Sequence, residues 1–269
     1  MSLLPPLDKL KIPVIGSPLF IISNPDLVIA QCKAGVIGSF PCLNAREGEG
    51  EPNMLEIWLN KINEELDKYN QENPDNPAAP YAVNHIVHKS NVRLQQDIDI
   101  CAKWKAPVWI TSLGARPEVN EVAHQANGIV LHDIINNFFA KKAIEKGADG
   151  LVAVAAGAGG HAGTLSPFAL IQEIREWFDG PLLLSGSIAN GGAVLAAQAM
   201  GADLAYIGSA FIATNEANAD QRYKEMITES SADDIVYTNL FTGVHGNYLK
   251  GSIEAQGLDP NNLEVSDSS

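Results

Sequence analysis

Cysteine is scarce and scattered in this chain of 269 residues. Cys32, Cys42 and Cys101 are odd in number and far apart, and no Cys-x-x-Cys pair occurs. Disulfide scaffolds and structural zinc sites both depend on cysteines at close, regular spacing. The pattern therefore argues against a disulfide framework and against a zinc site. We expect a reduced, cytoplasmic protein without a metal site.

Long apolar runs and basic charge are also missing. No apolar run reaches the roughly 20 residues that a membrane helix needs. The first residues, MSLLPPLDKLKIP, lack the basic region and apolar core of a signal peptide. Lys and Arg number 18 against 32 Asp and Glu, and the formal net charge is -14. Such a surface repels phosphate backbones and anionic membranes, so neither nucleic acid nor a membrane is expected as a partner.

Several catalytic motifs are absent as well. The sequence has no HExxH, no clustered acids at ligand spacing and no G-x-S-x-G. These absences argue against a metalloprotease and against a serine hydrolase of the α/β type. No GxGxxG follows the first predicted strand, which weakens the case for a Rossmann fold.

Eight short apolar segments alternate with helical patterns along the chain. The predicted strands cover 13–19, 36–40, 81–87, 108–114, 128–133, a run beginning at 151, 181–187 and 204–212. Parallel strands joined by helices form either an open doubly wound sheet or a closed barrel. Eight units in about 210 residues match the α/β (β/α)8 TIM barrel. We predict this barrel over residues 1–216, with a small appended helical and irregular segment over 217–269.

Helix boundaries are marked by capping residues and by apolar spacing. Asn24-Pro25-Asp26 combines an N-cap, a first-turn proline and an acid at the positive end of a helix. Apolar side chains at helical spacing predict a second helix over 54–69. Ser90 or Asn91 is expected to cap the helix that follows the third strand.

A glycine-rich stretch, LVAVAAGAGGHAGT, begins as the sixth strand and carries His161. Glycine permits tight turns and lets a flat ligand come close. Chemistry in this fold lies where strands end and helices begin. A neutral imidazole there can take a proton from a carbon acid near pH 7. The alternative is a tight loop that merely happens to contain a histidine.

Two further loops have the composition of phosphate sites. Ser185-Gly186-Ser187 follows the seventh strand and Gly208-Ser209 follows the eighth, the positions at which this fold binds phosphate. We therefore predict a phosphate-bearing cofactor, although small residues can also serve only to make tight turns.

Polar residues also end strands three to five. They are Asn84, His85, Ser112, His132 and Asp133. Each could line the barrel mouth, and each could equally be a helix cap or a loop residue. Asn84 is favoured because a carboxamide can both donate to and accept from a flat heterocycle.

With these residues in place, the chain resembles the nitronate monooxygenase family, formerly called 2-nitropropane dioxygenases. AGGHAG at 158–163 is similar to the family's AGGH motif, and SGSIANG at 185–191 resembles its phosphate loop of the type SGGIADG. YIGSAFIAT at 206–214 is similar to its GTxFLAT segment, and VNHIV at 83–87 resembles the strand whose asparagine touches flavin. The resemblance runs from about Pro13 to at least Thr214.

The resemblance implies an FMN-dependent barrel that oxidises alkyl nitronates with O2. His161 takes the role of the base that removes the α-proton of a nitroalkane or orients the nitronate. The ligands implied are FMN, a small nitronate or other carbon acid, and O2, and a homo-oligomer is compatible with it. The residues implied to contact FMN are Asn84, Gly159, Gly160, Gly186, Ser187, Gly208 and Ser209.

The chain departs from the family pattern at several positions. Val154 and Ala156 stand where the family often has a glutamine or an acid, and Asp133 stands where a lysine commonly follows the strand-five histidine. Loss of that cation would weaken stabilisation of the reduced, anionic flavin, unless another group replaces it. The family's closing helix and its Trp-Ser-Ala-Gly motif are not found before Ser269. Either a partner subunit covers the site or the chain is a shortened form.

Two other functions are compatible with these residues. One is an NAD(P)H-dependent flavin reductase of the enoyl-acyl-carrier-protein reductase type. The other is a non-catalytic flavin-binding or scaffold protein.

Overall fold

Eight parallel strands form the centre of the molecule in a computed structural model that describes residues 3–46 and 53–266. They are β1 (Val14–Gly16), β2 (Gly38–Pro41), β3 (Tyr81–Ile86), β4 (Val108–Ser112), β5 (Ile129–Ile134), β6 (Gly150–Val154), β8 (Leu182–Ser185) and β9 (Leu204–Ile207). Their order is β1-β9-β8-β6-β5-β4-β3-β2, and a parallel bridge between Ile15 and Ile37 brings the two ends together. The predicted (β/α)8 TIM barrel is confirmed.

Helices follow most strands and pack on the outside of the barrel. They are α1 (Pro25–Lys33), α2 (Met54–Glu72), α3 (Leu94–Lys103), α4 (Pro117–Gln125), α5 (Asn137–Glu145), α6 (Pro167–Arg175) and α7 (Gly191–Met200). Three shorter or later helices come after β9: α8 (Ser209–Ile212), α9 (Gln221–Glu229) and α10 (Lys250–Glu254). Within the described ranges, no helix has the length and apolar character needed to cross a membrane.

Two buried layers result from the alternation of side chains along each strand. Alternate residues such as Ile110, Leu131 and Val152 fill the inside of the barrel. Their neighbours, among them Trp109 and Leu151, pack against the surrounding helices. Because both faces are apolar, the strands have the continuous hydrophobic runs that predicted them.

Capping residues set the boundaries of α1 as predicted. The Asn24 side chain accepts a hydrogen bond of 2.9 Å from the Leu27 amide, and Pro25 is the first helical residue. The prediction for α3 was wrong, because this helix begins at Leu94, and Arg93 is its N-cap. Asn91 instead stabilises the preceding turn by accepting a hydrogen bond from the Arg93 amide.

Strand β9 is shorter than predicted, and the appended segment is more regular than predicted. β9 ends at Ile207, and the residues expected to extend it form α8. Strands β10 (Ile235–Thr238) and β11 (Gly246–Leu249) replace much of the expected irregular structure. They pair antiparallel in the order β10-β11-β7, where β7 (Gly160–His161) belongs to the glycine-rich stretch. The division at residue 216 stays a prediction.

Candidate active site

Three polar side chains at the ends of β3, β4 and β5 point into the mouth of the barrel. The Asn84 amide nitrogen donates hydrogen bonds to Ser112 Oγ (2.9 Å) and to the Ile110 carbonyl (3.1 Å). The Ser112 hydroxyl donates in turn to Asp133 Oδ2 at 2.6 Å. This directed series ends on the carboxyl group and leaves Asn84 Oδ1 as the amide atom able to accept from a ligand.

Asp133 is the most perturbed acid of the mouth. Burial raises the pKa of its carboxyl group to about 6, and the hydrogen bond from Ser112 opposes the rise. Its Oδ1 is buried, with no hydrogen-bond partner in the described part of the chain. Burial, and then the nearby Asp133, also raise the pKa of the Tyr206 phenol. Near neutral pH, Asp133 can therefore exchange between the acid and the carboxylate, as functional-site acids often do.

Two histidines considered as candidates for the mouth lie on the other face of their strands. The His85 ring stacks on Trp109 with centroids 4.8 Å apart, within the layer between strands and helices. The Nδ1 atom of His132 is 2.6 Å from Thr111 Oγ1, and burial lowers the pKa of His132 to about 4. Neither histidine lines the mouth, because side chains alternate along a strand and the neighbouring Asn84 and Asp133 take the inward direction.

The loop that carries His161 is fastened by the appended segment. The Asn247 amide donates to the Ala158 carbonyl at 2.7 Å, and the Tyr237 hydroxyl donates to the Ala162 carbonyl at 3.1 Å. Strand β11 pairs with β7 on the same side. These bonds fix the backbone on both sides of His161 while its side chain remains exposed.

Thr242 contacts the Nε2 side of the His161 ring. Nε2 of His161 lies 3.0 Å from Thr242 Oγ1. That hydroxyl also lies 3.0 Å from the Val244 carbonyl, which can only accept, and when it donates there it accepts from Nε2–H. A neutral imidazole carries one proton, which leaves Nδ1 as the atom that can accept another. Thr242 could not be found from sequence, because only the fold brings together residues 81 positions apart.

The loops after β6, β8 and β9 meet at one edge of the mouth. We call residues 155–159, 186–190 and 208–209 the glycine-rich rim. The Ser187 amide donates to the Gly157 carbonyl at 3.0 Å. A Cβ atom on Gly159 would lie 3.1 Å from Ser209 Oγ, and one on Gly186 would lie 2.6 Å from a β6-loop carbonyl. Gly186 also has a φ of 142°, so glycine is required there for both reasons.

The rim and the first turn of α7 offer donors to an anion. Asn190 caps α7 by accepting from the Ala193 amide at 3.0 Å, and the preceding Gly191 and Gly192 are exposed. The free backbone N–H groups in the first turn of a helix bind phosphate groups well. The structure therefore places Gly159, Gly186, Ser187, Gly208 and Ser209 together, with Gly160 at the start of β7 beside them. Asn84 lies deeper, in the barrel mouth.

Comparison with known proteins agrees with this architecture. The family model for nitronate monooxygenase matches residues 2–253. A nitronate monooxygenase of Paraburkholderia phytofirmans is 25% identical over 297 residues, covering 96% of this chain and 79% of that protein. A probable nitronate monooxygenase of Staphylococcus saprophyticus is 32% identical over 108 residues, covering 36% of this chain and 30% of that protein.

Solved structures share the barrel. FabK from Thermotoga maritima superposes with a TM-score of 0.75 at 24% identity, covering 90% of this chain and 72% of that one. Nitroalkane oxidase from Streptomyces ansochromogenes gives 0.74 at 22% identity, covering 90% and 78%. At this identity the likeness shows the fold alone. The family model matches nearly the whole sequence, and this match shows that the chain belongs to the nitronate monooxygenase family of oxidoreductases.

Proposed function

We propose that this chain is an FMN-dependent enzyme that oxidises alkyl nitronates with O2. One observation carries the proposal: in a member of this family, His161 stands at the edge of a mouth bordered by the glycine-rich rim. Bound FMN would supply the redox chemistry with substrate and O2. The chain's own residues would bind the cofactor, hold the substrate and move a proton.

The residues present fit FMN. The first turn of α7, with its exposed Gly191 and Gly192, and the small residues Gly186, Ser187, Gly208 and Ser209 would receive the phosphate, because none of these side chains is larger than a hydroxymethyl group. The acceptor atom of Asn84 and the unpartnered Oδ1 of Asp133 lie at the barrel mouth, where polar groups of a flat heterocycle could pair with them.

His161 would act through Nδ1. With Nε2–H directed at Thr242, the free Nδ1 lone pair would take the α-proton of a nitroalkane. The N–H group formed in that step would then donate a hydrogen bond to the nitronate. The bonds that fasten the β7 backbone would keep the ring at the mouth without covering it.

Asp133 stands where the resemblance implies a lysine. The position would therefore carry a group whose charge depends on pH in place of a permanent cation. As a carboxylate it would oppose negative charge on the reduced flavin, whereas as a neutral acid it would donate a hydrogen bond. Its pKa of about 6 leaves the carboxylate the major form at neutral pH. With the preformed nitronate as substrate, we therefore expect turnover to rise as the pH falls toward 6.

The test starts from the full chain purified with FMN. The proposal expects a flavin spectrum and O2 consumption with ethylnitronate or propionate-3-nitronate. Anaerobic bleaching by NADH or NADPH without nitronate-dependent O2 uptake would instead identify a flavin reductase. A folded protein that binds no flavin would also contradict the proposal.

The role of His161 is tested with His161→Asn, and His124→Asn is the matched control. His124 lies at the end of α4, where it pairs with Asp149 Oδ2 at 2.8 Å, away from the strand ends that form the mouth. Loss of a general base lowers turnover about 10²- to 10⁴-fold. We expect this loss for His161→Asn with a neutral nitroalkane and a smaller loss with the preformed nitronate. Equal losses with both substrates would exclude proton removal by His161.

A further inference from the structure

A second set of chemically reactive side chains lies outside the barrel, in the layer between strands and helices. Cys42 follows β2, His85 lies on β3 and Cys101 lies on α3. One ligand atom from each falls within 4.8 Å of the other two, and all three residues are at most 1% exposed. The nitronate chemistry proposed above uses none of them. We call them the thiol–imidazole cluster.

From this geometry, we propose that the thiol–imidazole cluster is a binding site for one thiophilic d10 cation, Zn²⁺ or Cu⁺. Thiolate and imidazole are the ligands these ions prefer. The Cys42 and Cys101 sulfurs are 3.7 Å apart, and Nε2 of His85 is 4.0 Å from the Cys42 sulfur.

These separations are close to those around a bound ion. Zinc–sulfur bonds of about 2.3 Å at tetrahedral angles place two sulfurs about 3.8 Å apart. The same geometry places sulfur and nitrogen about 3.6 Å apart, so His85 needs to approach Cys42 by about 0.4 Å. The third separation, between the Cys101 sulfur and the His85 ring nitrogen, is within 4.8 Å, so His85 also needs to approach Cys101 by up to about 1.2 Å. Coordination therefore requires movement of the His85 side chain toward both sulfurs.

The surroundings suit a low-coordinate, soft ion. Phe40 and Trp109 are fully buried members of the same apolar layer, and Trp109 covers one face of the His85 ring. Two thiolates balance the charge of Zn²⁺, which avoids burying net charge. Cu⁺ is also bound by thiolate and imidazole, but with both thiolates it leaves one net negative charge in the layer. Binding of either ion through both thiolates releases the two thiol protons.

The orientation of His85 is consistent with this role. With Nε2 directed at Cys42, Nδ1 is buried without a hydrogen-bond partner in residues 3–46 and 53–266. Nε2 is therefore the ring nitrogen that faces the Cys42 sulfur and that would bind the ion.

The test uses the full chain, refolded under reducing conditions with Zn²⁺ or Cu⁺, because the closed layer offers no route for loading. After removal of excess metal, we expect one ion per chain by elemental analysis, and competition between the two ions identifies the preferred one. X-ray absorption should show two sulfurs and one nitrogen around the ion, with zinc–sulfur bonds of about 2.3 Å. Oxygen and nitrogen ligands alone would overturn the proposal without any need for a variant.

Variants then locate the site. Cys42→Ala and Cys101→Ala each remove one ligand and should lower affinity by more than about 100-fold, since even changes behind the ligands cost up to that much. Cys32→Ala is the matched control, because Cys32 is also free and buried but lies outside the cluster. Its thiol donates a hydrogen bond to the Pro80 carbonyl, and its sulfur accepts one from the Gly38 amide. It should retain full binding. No stoichiometric metal in the wild-type chain, or equal binding by Cys42→Ala, would overturn the proposal.

Discussion

Replacing Asp133 with asparagine is expected to stabilise the protein at neutral and alkaline pH. In the folded state burial holds the pKa of this carboxyl group at about 6 instead of 3.8. The folded carboxyl therefore keeps its proton to a higher pH than the unfolded one, so stability falls as the pH rises from about 4 to about 6. Above that range the cost is complete, at about 3 kcal/mol. Asparagine carries no charge at any of these pH values, and its side-chain oxygen can still accept from Ser112.

The assay is urea denaturation of both proteins at about pH 5 and about pH 8, where the free energies of unfolding should diverge by about 1 to 1.5 kcal/mol. The difference between the two pH values removes any constant effect of the substitution. Asp75→Asn, in the exposed turn after α2, is the control and should show no such divergence. If Asp133→Asn and the wild type lose stability in parallel between the two pH values, the carboxyl is not held in its neutral form by burial, and the reasoning fails.

Three other changes test separate parts of the structure. Thr242→Val should lower nitroalkane turnover about 10-fold in steady-state kinetics, because His161 loses the hydroxyl that accepts from Nε2–H. Thr242→Ser keeps that hydroxyl and should retain the wild-type turnover. Asn24→Ala should cost about 1 kcal/mol in denaturant unfolding, because the α1 cap is lost, and an unchanged midpoint would contradict the capping role. Ser187 has a φ of 54°, so Ser187→Gly should stabilise the chain by up to about 1 kcal/mol in the same assay; a loss of stability would show that its hydroxyl matters more than the backbone strain.

The barrel could be predicted because its determinants are local and repeated. Most of the strands begin as short apolar runs, and α1 is marked by its own cap and first-turn proline, Asn24 and Pro25. The rim could be predicted too, because the ends of parallel strands meet at one edge, so loops far apart in sequence share a position. These are consequences of periodicity and topology, not of particular contacts.

The rest depends on contacts between distant residues or on the direction of a side chain. His85 and Asn84 are adjacent at the end of β3, and only the register of the strand decides which one points inward. Thr242 reaches His161 through the β7–β11 pairing, and that pairing involves a two-residue strand too short to show in the sequence. Cys42 and Cys101 are 59 positions apart, so no spacing rule for metal ligands applies to them.

Oxygen consumption by the FMN-loaded chain with ethylnitronate is the most direct test of the central claim. The account predicts O2 uptake that depends on nitronate and on bound flavin and that is retained in His124→Asn. With a neutral nitroalkane as substrate, it predicts a loss of about 10²-fold or more in His161→Asn. A chain that binds FMN at the rim but consumes no O2 with any nitronate would contradict the proposed activity while leaving the barrel and the family intact.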